Sequence, residues 1–92
     1  MPVDEMYVDE FDVMEHKAFD VQGKKYALLV FRRDNHWDYD IMVCSEFQKD
    51  DSDGYICNWE KCVALPTTPM EYFGLSDAEA DRMIGEAIGK FL

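Results

Sequence analysis

Positive charge is scarce in this sequence. Nine Lys and Arg stand against twenty Asp and Glu in 92 residues, a formal net charge of −11 at neutral pH. Such a chain repels phosphate backbones and anionic membrane surfaces, so neither nucleic acid nor a membrane is an expected partner. Long apolar runs are missing too. No stretch approaches the ~20 residues that cross a bilayer as a helix. The opening MPVDEMYVDE is acidic and lacks the apolar run of a signal peptide. Cysteine is limited to three residues, an odd number that cannot complete a disulfide framework. Together these absences lead us to expect a reducing cytoplasm. Internal repeats and low-complexity linkers are also lacking.

Catalytic motifs are equally scarce. The chain has no G-x-S-x-G, no glycine-rich phosphate loop and no H-E-x-x-H. Segment Lys49–Glu60 comes near a calcium loop, with Asp51, Asp53, Gly54, Ile56 and Glu60 at its third, fifth, sixth, eighth and twelfth positions. Lys49 then stands where the first carboxylate belongs, and the flanks read as strands. A solvated hairpin loop is the better reading. Cys57 and Cys62 have an odd separation, which on one strand puts them on opposite faces, and Cys44 is expected several residues away along the ladder. His16 and His36 follow no ligand pattern. The cysteines therefore read as small buried hydrophobes. Asp38 and Asp40 have the chemistry of an acid–base pair, but two carboxylates on one strand fit a solvated or interaction surface better. The expectation is a non-enzyme with no cofactor and no metal.

What is present suits a small globular domain. Hydrophobic residues make up 48% and aromatics 14%, so residues 1–92 are expected to form one domain with one core. Two β-prone runs, Lys25–Arg33 and Trp37–Phe47, flank Asp34-Asn35 and predict a central hairpin. Tyr26–Phe31 is apolar at every position, as in an interior strand covered on both sides. A strand near His16–Gln22 precedes it and another over Tyr55–Leu65 follows it. Pro66 and Pro69 end the sheet, because proline donates nothing to a ladder. Met70–Gly74 reads as a linker. Ser76 and Glu79 form a capping box before the apolar stripe Ala80, Met83, Ile84, Ala87, Ile88 and Phe91. Gly85 and Gly89 suggest that this helix lies close on the sheet. Val3, Tyr7, Phe11, Met14 and Ala18 recur at helical spacing, so the N-terminal segment reads as a short helix or irregular arm. The predicted fold class is α+β: a four-stranded antiparallel sheet with a C-terminal α-helix on one face.

Alternation divides the sheet into two faces. Tyr26, Leu28, Val30, Trp37, Tyr39, Ile41, Val43, Phe47, Tyr55, Cys57, Trp59, Val63 and Leu65 share one; Ala27, Leu29, Phe31, Met42, Cys44, Ile56, Cys62 and Ala64 share the other, with Asp38, Asp40, Glu46 and Glu60 towards its ends. The face away from the helix is left to the N-terminal arm, to a second copy or to a partner.

Two functions follow from these patterns. The first is an inhibitor that blocks the basic, nucleic-acid-binding groove of a host enzyme, steered there by charge. Asp38 and Asp40 would lie ~6.5 Å apart along the strand. Glu46, Asp50, Asp51, Asp53, Asp9, Glu10 and Asp12 complete the candidate partner-binding set. In size and charge the chain is similar to small phage-encoded anti-defence proteins, including anti-CRISPR proteins; the likeness is one of composition and carries over no residues. The second function is a homodimeric or accessory module that binds through an aromatic sheet face. Its candidate anchors are Trp37, Tyr39, Tyr55, Trp59, Tyr72 and Phe73, with Trp37 and Trp59 expected mainly in the core.

Overall fold

The structure, a computed structural model, describes residues 5–32 and 37–92. The expected Asp34-Asn35 turn lies outside the described residues. The strands are β1 (Glu5–Val8), β2 (Val13–Val21), β3 (Lys24–Arg32), β4 (Tyr39–Cys44), β5 (Phe47–Lys49), β6 (Tyr55–Asn58) and β7 (Cys62–Ala64). The helices are α1 (Pro69–Phe73) and α2 (Asp77–Gly89), and 3-10 turns occupy Glu10–Asp12 and Trp59–Lys61. The class is α+β, but with two antiparallel sheets: β2-β3-β4-β7, and a smaller β1-β6-β5.

The second sheet arises because two runs expected as single strands each break in the middle. The Trp37–Phe47 run bends at Ser45 and Glu46, and the Tyr55–Leu65 run bends at the Trp59–Lys61 turn. The breaks face each other. Ser45 N donates to Lys61 O at 2.9 Å, and Asn58 N donates to Glu46 O at 3.1 Å. The hairpin therefore bends as a unit, and its tip folds back over the larger sheet. Asn58 holds the bend by accepting from Glu60 N at 3.1 Å, an Asx cap of the 3-10 turn.

Among the described residues the N-terminal arm forms a strand and a 3-10 turn, not an α-helix. β1 runs antiparallel to β6, pairing Met6 with Cys57 and Val8 with Tyr55. Met6 and Val8 turn inward while Glu5 and Tyr7 are exposed, so the period of two wins because β6 offers a ladder to pair with. Met70–Gly74 is also more than a linker. Thr68 Oγ1 accepts from Glu71 N at 3.2 Å and Pro69 opens α1, where a missing N–H costs nothing.

β3 is the centre, with Tyr26 to Phe31 buried on both faces. Tyr26, Leu28 and Val30, with Ile41, Val43 and Leu65, pack against Ile84, Ala87 and Ile88 of α2. On the other face Leu29, Phe31, Met42 and Cys44 pack against Val8, Tyr55 and Cys57 of the smaller sheet. Past the bend the expected facing reverses: Phe47, Tyr55, Cys57 and Trp59 join this second core instead of the helix-side core. Ser76 Oγ accepts from Glu79 N at 3.3 Å and starts α2. A Cβ on Gly85 or Gly89 would meet nothing within 4 Å, so neither glycine serves close packing.

Candidate functional site

The register of β1 decides where the acids go. Val8 and Lys49 both lie opposite Tyr55, which sets the 50–54 loop beside the end of β1, with the Tyr7 hydroxyl 3.3 Å from Ser52 Oγ. The Glu10–Asp12 turn then carries the chain from the smaller sheet to the larger. There Asp12 meets Arg32 at 3.1 Å, Arg32 pairs with Tyr39, and Phe31 lies between Val13 and Asp40. Eight of the nine candidate acids thus gather at one end of the molecule: Asp9, Glu10 and Asp12 between Asp38 and Asp40 on one side and Asp50, Asp51 and Asp53 on the other. Glu46 lies at the opposite end, where it accepts from Asn58 Nδ2 at 2.8 Å beside Glu5.

Several of these acids hold local structure. Asp50 Oδ1 accepts from Ser52 N (2.9 Å), Ser52 Oγ (2.9 Å) and Gly54 N (3.0 Å), which closes the loop. Desolvation pulls the Asp50 pKa upward, but the Ser52 hydroxyl and the Gly54 and Ser52 amides outweigh it and hold the carboxyl below its ordinary value. Asp53, at φ 64°, reaches Lys49 at 3.3 Å. Asp9 accepts from Phe11 N at 3.0 Å and caps the 3-10 turn. Glu10, Asp38 and Asp51 are exposed and Asp40 is half-buried. Two described cations at this end, Arg32 and Lys49, are each matched by an acid.

An apolar groove opens beside the acids. Met14, Trp37, Tyr39, Pro69, Met70 and Phe73 line about 720 Å³, with Asp38 in the wall. Trp37, expected in the core, is 94% exposed, and Trp59 is half-buried against the second core. α1 accounts for part of this: Tyr72 packs on the helix-side core, which leaves Met70 and Phe73 exposed. Met14 has its own cause. The β2–β3 register shifts between Val13 and Glu15, so Met14 is the extra residue of a bulge, a device that re-aims a side chain.

The cysteines also depart from expectation. Cys44 lies directly opposite Cys62, and the 3-10 turn restores the facing of Cys57, so the three meet between the sheets. Hydrogen bonds from Cys44 and Cys62 favour the Cys57 thiolate and lower its pKa; the bonds to Cys57 and Cys62, with burial, push Cys44 up. Among the described residues no group of three or more His, Cys, Asp or Glu could hold a metal ion. His16 rests on the Tyr55 ring (centroids 4.8 Å apart), and burial, then Lys49, lowers its pKa. Cys44 and Cys57 are fully buried, whereas Cys62 is half-buried. A chromogenic disulfide should therefore react first with Cys62 and reach the other two only as the protein opens. Rapid reaction of all three thiols in the native protein would contradict this packing.

Fold and surface together define an α+β domain of two facing antiparallel sheets and a C-terminal helix, with an acidic end that carries an apolar groove. Compared with protein-family models, curated proteins and solved structures, the chain has no match. Among the described residues no helix is long and apolar enough to cross a membrane.

Proposed function

We propose that this protein is a small acidic inhibitor that binds a basic protein surface and blocks the nucleic-acid-binding groove of an enzyme, in the manner of phage anti-defence proteins. The observation that supports this reading is the gathering of acids from three separate segments, residues 9–12, 38–40 and 50–53, at one end. Carboxylates concentrated on one surface make the local potential strongly negative and steer a basic partner, which a uniform scatter of the same charge would do less well. β3 and β4, the inner strands of the larger sheet, are covered on both faces from within the chain, so their aromatic residues do not offer a sheet face to a partner.

Salt is the discriminating variable. Extract proteins retained on the immobilised protein at low salt should be released steeply as salt rises and displaced by added duplex DNA. Asp38→Lys combined with Asp51→Lys should weaken retention about tenfold or more, since both positions are exposed and lie on different segments. Retention indifferent to salt, to duplex DNA and to these reversals would refute the inhibitor reading.

A further inference from the structure

We infer that the groove between α1 and the start of β4 is an anchor site for a large apolar side chain, of Leu, Met or Phe class, carried on a Lys- or Arg-rich segment of the partner. This rests on the acidic-inhibitor reading and specifies the contact that charge alone cannot make. Three side chains from three segments converge on the groove while remaining exposed: Met14 at 50%, Trp37 at 94% and Met70 at 87%. Apolar side chains exposed together around a groove point to an interaction site more than the same residues scattered singly would. Methionine and tryptophan suit the task, because thioethers adapt to varied shapes and an indole brings large area with few rotors.

Charge selects the occupant. Asp38 stands in the groove wall, Glu71 follows Met70 on α1, and Glu15 follows Met14 on β2. Glu15, Asp77 and Asp81 lie close enough to Tyr72 to raise its pKa further, after burial. Arg32, over the Tyr39 ring, is matched by Asp12. A second copy would bring another chain of net charge −11 against this rim, which opposes self-association. A basic segment meets complementary charge around an apolar centre, the arrangement in which buried anchors carry affinity and charge guides the approach.

The probes are two labelled Lys-rich peptides of equal charge, one carrying Leu at i, i+3 and i+4 helical spacing, the other with Ser in place of Leu. Anisotropy titrations should show the Lys/Leu peptide binding about tenfold or more tightly than the Lys/Ser peptide. Trp37→Ser and Met70→Ser should abolish that preference and leave the Lys/Ser affinity unchanged; both positions are exposed, and an unaltered melting profile verifies folding. Equal binding of the two peptides, or a preference that survives both substitutions, overturns the anchor site. Loss of salt dependence with the Leu preference intact would instead overturn the acidic reading and leave the groove. Concentration-dependent dimers abolished by Trp37→Ser would replace the basic partner by a second copy.

Discussion

Leu28→Ala should lower the stability of the protein by about 3 kcal/mol, the usual cost of emptying a fully buried leucine site. Leu28 has no exposed surface and sits midway along β3, opposite Lys17 on β2 and Val43 on β4. It belongs to the core that ties the larger sheet to Ile84, Ala87 and Ile88 of α2. Collapse around the missing atoms is hard there, because both neighbouring strands are fixed by ladders and α2 is held at its start by Ser76. A domain of this size has only about 5–15 kcal/mol in total, so the loss is a large fraction of it. Chemical denaturation read by far-ultraviolet circular dichroism should show the midpoint shift, with helix and sheet lost together. A shift worth less than about 1 kcal/mol would mean that α2 and the sheet do not share one cooperative core.

The elements that the sequence made legible are those governed by local periodicity. Tyr26–Phe31, apolar at every position, is the interior strand, and the Ser76–Glu79 box with its stripe is the helix. Alternation also assigned Tyr26, Leu28, Val30, Ile41 and Val43 to one face, the face α2 covers. What was hidden depends on partners distant in sequence. The bends at Ser45-Glu46 and Trp59–Lys61 carry no proline or glycine; they exist because each supplies hydrogen bonds to the other. Those bends reverse the facing of Tyr55 and Cys57 and create the second sheet, so the expected cysteine separation failed with them. The spacing of Tyr7, Phe11 and Met14 suggested a helix, yet β6 drew the segment into a ladder and the bulge turned Met14 to the groove. The identity of the candidate acids was visible, but their convergence follows from the β1–β6 register, which no local pattern encodes.

That register makes Gly54 the other position of large expected effect. Gly54 is buried, and a Cβ placed there would lie 2.7 Å from the Val8 carbonyl oxygen and 2.8 Å from the Tyr7 hydroxyl. The tyrosine tip has room to swing away. The Val8 carbonyl does not, because it belongs to the strand that pairs Val8 with Tyr55. Gly54 N also donates to Asp50, which ties the same residue to the closure of the loop. Gly54→Ala should therefore push β1 off the loop at a cost of about 1–3 kcal/mol, the range of overpacking in a tight site. Gly85→Ala supplies the contrast: its Cβ meets nothing within 4 Å in mid-helix, and it should stabilise by about 0.5–1 kcal/mol. Hydrogen exchange should show protection falling in β1 and β6 of the Gly54 variant while α2 keeps its own. Because Asp9 and Glu10 follow directly on Val8, the same displacement should separate them from Asp51 and weaken salt-sensitive binding, linking one missing Cβ to the proposed function. Unchanged β1 protection in Gly54→Ala would show that the loop, not the strand, absorbs the clash.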